Sequence, residues 1–137
     1  MSVPFLTALS TRLLSAGSTG AGGWANVFGS RVFLDRAPAD TLLPLCVYSL
    51  SVERSERTKA GYELIVSVVF SMYDSADSTT DLETAQSRLR TLLDGYSTTA
   101  TNHDRMIVKL RRQGILVQDD GAWAVEDEYE LRGTLTA

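Results

Sequence analysis

The sharpest hydrophobic alternation in the chain runs from Tyr62 to Tyr73. Leu64, Val66, Val68, Phe70 and Met72 recur at every second position, and Glu63, Ser67 and Ser71 fall between them. A period of two is that of a strand with one packed face and one half-wet face. A second alternation covers Leu45 to Val52. There Cys46, Tyr48, Leu50 and Val52 share one side, and Ser49 and Ser51 the other. The intervening "ERSERTKAG" reads as a charged loop, so the two strands form a long charged β-hairpin. Val32 to Leu34 predicts a short edge strand and "DRAPAD" a turn or loop. Pro44 stands directly before the next strand, where no backbone donor is needed.

Two segments carry helical spacing instead. Leu6, Leu9, Leu13 and Ala16 recur at that period, with Ser2 placed to cap, Pro4 in the first turn and Gly17 at the end. Leu82, Ala85, Leu89, Leu92 and Leu93 form a second apolar stripe. Thr80 and Glu83 have capping-box spacing before it, and Gly95 follows it. "GSTGAGGWANVFGS" holds five glycines and reads as a loop. Its Trp24 and Phe28 are either lids on the core or contacts for a partner. "STTATNHDR" also reads as a loop, and "MIVKLRRQG" as a strand or a short helix. "ILVQ" and "AWAVEDEYELRGTL" pair around Asp120-Gly121, a strong hairpin-turn signal. The alternation in the last strand is loose, so it is expected to be bulged or partly exposed. The order predicts a single α+β domain over residues 1–137. Its sheet is antiparallel or mixed, with two main helices packed on one face.

Composition fits ordinary globular material, with 44% hydrophobic and 22% charged residues. The net charge of −4 argues against a general nucleic-acid binder. Cys46 is the only cysteine, so it forms no internal disulfide and anchors no cysteine-based zinc site. No apolar run approaches the roughly 20 residues of a membrane span. "MSVPFLTALSTRLL" lacks the basic leader of a signal peptide. These readings place synthesis and assembly in a cytoplasm.

Catalytic patterns are missing. There is no phosphate-binding G-x-x-x-x-G-K-[ST] loop and no G-x-S-x-G elbow. "GSTGAGG" neither follows a strand nor opens a clear helix. His103, the lone histidine, lies beside Asp104 in a polar stretch with no nucleophile in the pattern, and reads as a surface residue. Glu126, Asp127, Glu128 and Glu130 read as a solvated or interface-facing acidic edge, a device that discourages sheet addition. A protein that works by shape and contact is expected, with no enzymatic activity, cofactor or metal.

Four stretches, in order and spacing, resemble the tail terminator family of long-tailed phages over residues 6–135. They are "VFGSRVFLDRAPADTLLPLCVYSL", "SVERSERTKA" with "GYELIVSVVFSMYD", "DLETAQSRLRTLLD", and "ILVQDDGAWAVEDEYELRGTL". The glycine-rich "STGAGGWANVFG" departs from the family, and "TNHDRMIVKLRRQG" matches weakly. The resemblance implies a virion protein forming a homohexameric ring on the head-proximal end of the tail tube. It implies that the ring stops tube growth and meets the head connector, so the partners are the chain itself, the tube protein and the connector. On that basis Arg54, Arg57 and Lys59 are candidates for an acidic partner surface, with Glu53 and Glu56 setting register. Trp24, Arg36, Arg111 and Arg112 are further contact candidates. Two alternatives stand beside this reading. One is a head-completion or neck connector ring. The other is a winged-helix nucleic-acid module, with "HDRMIVKLRRQGILVQDDGAWAV" as a basic recognition helix, a strand and a wing, and Lys109, Arg111 and Arg112 on phosphates.

Overall fold

The computed structural model describes residues 3–15, 20, 22–29, 31–58, 61–75, 79–100, 103–119 and 121–135. Helix α1 spans Val3–Leu13 and is followed by a 3-10 turn, η1, at Ala25–Phe28. Strands β1 (Val32–Leu34), β2 (Leu45–Thr58) and β3 (Gly61–Ser75) come next, then helix α2 (Thr80–Leu93). Strands β4 (Ser97–Ala100), β5 (His103–Arg112), β6 (Val117–Asp119) and β7 (Ala122–Leu135) complete the chain. Six strands run in the order β1-β2-β3-β7-β5-β4, and β6 adds a seventh by pairing with β7. The sheet is mixed, because β1 runs parallel to β2 while every other pairing is antiparallel. Among the described residues no helix is long and apolar enough to cross a membrane.

The alternation of the sequence explains which sheet face is packed. Val66, Val68, Phe70 and Met72 of β3 are all fully buried. Their cross-strand neighbours Leu131, Tyr129, Asp127 and Val125 of β7 continue that face, and Leu50, Tyr48 and Cys46 of β2 extend it on the other side. Leu9 and Leu13 of α1 and Leu82, Ala85, Leu89 and Leu93 of α2 join the same buried cluster. Phe70 is its aromatic hub, with Trp24, Tyr48 and Tyr129 rings at 5.7, 5.8 and 5.7 Å. Edge-to-face and stacked pairs at that range add about 0.5–1.5 kcal/mol each beyond their buried area.

Several expectations shift. Helix α1 ends at Leu13, a turn before the expected stop, while Ser2, Ala16 and Gly17 lie outside the described residues. The cap of α2 is Thr79 rather than Thr80: its hydroxyl donates to Glu83 Oε1 at 3.1 Å. Gly95 does follow the helix at φ 80°, a conformation that favours glycine. The "ERSERT" segment expected as loop continues β2 through Thr58, paired with β3 down to Thr58↔Gly61 after a register shift between Val52 and Arg54. Ser97–Ala100 and His103–Arg112, expected as loop or as an undecided segment, are strands. A strand at 103–112 leaves the winged-helix alternative without its recognition helix. The last strand is not an exposed edge, because β7 lies between β3 and β5.

Candidate assembly surfaces

The face of the sheet turned away from the helices carries a ladder of charge. The "EDEYE" stretch of β7 alternates, with Asp127 and Tyr129 buried and Glu126, Glu128 and Glu130 on the opposite face. Each outward carboxylate is met by a cation or a hydroxyl brought across by a neighbouring strand. Arg111 of β5 reaches Glu128 Oε2 at 3.2 Å and Glu130 Oε1 at 3.6 Å. Arg132 reaches Glu130 Oε1 at 3.1 Å and Glu63 Oε1 at 3.5 Å. Arg112 lies 3.9 Å from Glu128 Oε1, and Ser71 Oγ donates to Glu126 Oε1 at 3.4 Å. The acidic run is thus the middle of an alternating ion-pair chain, Glu63–Arg132–Glu130–Arg111–Glu128–Arg112, and not an acidic edge. Exposed pairs of this kind contribute about 0.2–1 kcal/mol each. Their larger effect is to cancel charge over the sheet.

Beyond the Arg112 end of this ladder the surface becomes apolar. Leu45, Tyr73, Ala124 and Val117 pair in one row across β2, β3, β7 and β6, so their side chains share a face. Ile115 is 84% exposed, Leu42 74% and Val117 57%, and Leu43 and Tyr73 are also exposed. A shallow cavity of ≈ 360 Å³ opens here between Tyr73, Ile115, Val117 and the strand backbone, with Arg112 and Glu126 on its lining. Large apolar side chains gathered on one end of a sheet mark a contact surface rather than scattered exposure.

The loop that presents Ile115 is fastened from below. Asp127, 1% exposed, accepts hydrogen bonds from the Gly114 backbone N–H at 2.8 Å and from Gln86 Nε2 at 2.9 Å. Gln86 Nε2 also donates to the Gly114 carbonyl at 3.1 Å. Helix α2, the 113–116 loop and β7 therefore meet in one buried polar clasp. Burial pushes the Asp127 carboxyl above the ordinary carboxylate range. The bonds from Gln86 and Gly114 and the nearby Arg112 charge pull it partly back. The same burial raises the Tyr129 hydroxyl and the Cys46 thiol, and the Asp127 charge raises both further. Cys46 is accordingly a buried, unreactive thiol.

The contact candidates from the sequence do not come together. Trp24 is 1% exposed and sits in the core, which removes its ring from the accessible surface. Arg36 lies exposed in the loop after β1. Arg111 and Arg112 belong to the ion-pair ladder. The backbone of Glu53, Arg54, Glu56 and Arg57 belongs to the far end of β2, while their side chains, and Lys59 altogether, lie outside the described residues. Along β3, eight residues separate the hairpin end at Gly61 from Val69, the partner of Glu128, or roughly 26 Å. The apolar end around Ile115 and Tyr73 was not anticipated. Its signals were Tyr73, Ile115 and Val117, which the sequence alone does not reveal to line one cavity.

No protein-family model matches the chain, and no curated protein matches it. Solved structures do share the fold. A chain in the virion of a native gene transfer agent particle superposes with a TM-score of 0.69 at 17% identity, covering 92% of this chain and 91% of its own. A second solved chain, whose name carries no functional description, superposes with a TM-score of 0.65 at 14% identity. That match covers 100% of this chain and 99% of its own.

Proposed function

We propose that this chain is a structural subunit of a phage-like particle and acts as a tail terminator. In this reading it forms a hexameric ring on the head-proximal end of the tail tube, stops tube growth and offers a surface to the head connector. The observation that carries the reading is the whole-length fold match to a chain of a gene transfer agent virion. The ordered sequence resemblance described above narrows it to the terminator role.

The surfaces support a part of this kind. A ring subunit needs two different patches that meet each other's complements, and further patches for what lies above and below. The apolar end around Tyr73, Ile115 and Val117 and the hairpin end of β2 at 53–58 lie at opposite ends of the long strands. The hairpin, with Arg54, Arg57 and Lys59 against Glu53 and Glu56, is assigned to the tube, and the apolar end to a flatter, drier contact.

Electron microscopy of tails assembled with and without the protein tests the function. Without it, tails should overrun their normal length and fail to join heads. Tails of normal length that still join heads in its absence would sink the terminator reading.

A further inference from the structure

A groove of ≈ 360 Å³ lies between α1 and α2, and its charge is one-sided. It is lined by Arg12, Ser15 and the Gly22–Trp24 segment on one wall and by Ser87, Arg88 and Thr91 on the other. The two arginines are held in place by backbone. Arg12 Nε donates to the Leu92 carbonyl at 3.1 Å, and its guanidinium stacks 4.2 Å above the Tyr96 ring. Arg88 Nη1 donates to the Gly23 carbonyl at 3.0 Å. Neither has a carboxylate partner among the described residues, whereas Arg111, Arg112 and Arg132 of the sheet are paired. The first 34 residues of the sequence contain no Asp or Glu, so no acid of that segment answers Arg12. Two hydroxyls at the groove are already committed, Ser15 to the Arg12 carbonyl and Thr91 to the Ser87 carbonyl. The donors this leaves at the groove are the Ser87 hydroxyl and the two guanidinium groups, whose fork suits a carboxylate.

Two exposed acids elsewhere have no ion-pair partner among the described residues. Asp35 and Asp40 are exposed in the loop after β1, at φ 67° and 60°. Strand β1 is one edge of the sheet. Arg12 stacks on Tyr96, next to β4 at the opposite edge. Within one chain, however, Asp35 and Asp40 form no ion pair with Arg12 or Arg88 among the described residues.

We propose that the 35–40 loop of one copy docks in the Arg12/Arg88 groove of the next, with Asp35 and Asp40 supplying the carboxylates. The contact is head-to-tail, since the two surfaces differ and each copy keeps one of each free to continue the series. The inference rests on the ring reading for the existence of a self-contact and adds which surfaces make it.

Sedimentation velocity on the full chain tests it with two variants. Arg88→Gln disables the groove. Asp35→Asn with Asp40→Asn disables the loop while keeping residues that tolerate positive φ. Circular dichroism confirms that both remain folded. Wild type should self-associate, and more weakly in about 0.5 M salt. Each variant alone should associate about tenfold or more weakly, as expected for the loss of a close charge pair. A mixture of the two variants should form one-to-one dimers that grow no further, because one intact groove meets one intact loop. Variants that associate like wild type would overturn the groove contact and leave the ring reading standing. A wild type that stays monomeric at every concentration would overturn the groove contact, while the ring reading stands or falls on the tails assembled with and without the protein.

Discussion

Removal of the Asp127 carboxylate should loosen the loop that carries Ile115. The side chain accepts two hydrogen bonds at 2.8 and 2.9 Å in a position only 1% exposed. A hydrogen bond to a charged group is worth about 1.5–3 kcal/mol, and a neutral one about 1. Asp127→Ala deletes both and strands the Gly114 N–H, while it relieves the cost of a buried charge. The net loss should be about 2–3 kcal/mol, or roughly 10 °C in Tm for a chain of this length. Urea unfolding followed by circular dichroism measures it. Gln86→Ala, alone and combined with Asp127→Ala, should give a coupling of about 1–2 kcal/mol.

Asp127→Asn separates charge from bonding, since its amide oxygen still accepts both hydrogen bonds. The folded carboxyl titrates above its unfolded value, so the fold prefers the protonated form. Wild-type stability should therefore fall, relative to Asp127→Asn, as pH rises from about 4 through the raised folded value, and then level off. Asp127→Ala within about 0.5 kcal/mol of wild type, or an unchanged pH profile in Asp127→Asn, would refute the clasp.

Two further changes probe neighbouring features. Gly114→Ala adds a Cβ that collides with the Glu126 backbone carbonyl, which cannot swing aside as a side chain would. It should cost about 2–4 kcal/mol by the same unfolding assay. Glu130→Gln breaks contacts to Arg111 and Arg132 that are partly open to solvent. It should cost less than about 1 kcal/mol, with the difference vanishing in about 0.5 M salt.

The β2 and β3 faces were legible because one buried face and one wet face leave a period-two trace. Cys46, Tyr48 and Leu50, and Val66, Val68, Phe70 and Met72, are buried where that trace puts them. Strand β5 carried the same trace in Met106, Val108 and Leu110. Ile107 fills an outward position, however, and blurs the contrast. Strand β4 has no apolar alternation at all and is a strand because β5 pairs with it. The acids of β7 looked like an edge because most of their partners are remote in sequence, Arg111 being 17 residues from Glu128, and only Arg132 lies close, two residues from Glu130. Asp127 broke the alternation for a tertiary reason, its bonds to Gln86 and Gly114. Such partners belong to strand neighbours, and a linear pattern does not display which strands are neighbours.

The central position of β7 has a consequence for how the chain reaches its structure. Strands β1, β2 and β3 form one half of the sheet, β5 and β4 the other, and β7 is the strand that bonds to both. Each half meets it through long-range pairing, from Tyr62↔Leu135 to Ser75↔Ala122 on one side and from His103↔Leu135 to Arg112↔Glu128 on the other. A nascent chain that has made everything up to β5 holds two open sheet edges and half-covered apolar faces. Contacts of this range close slowly, and unpaired edges invite strands from other chains. Synthesis of β7 should therefore complete the fold in one cooperative step, and a chain stopped short of it should be a substrate for chaperones and aggregation rather than a smaller folded protein.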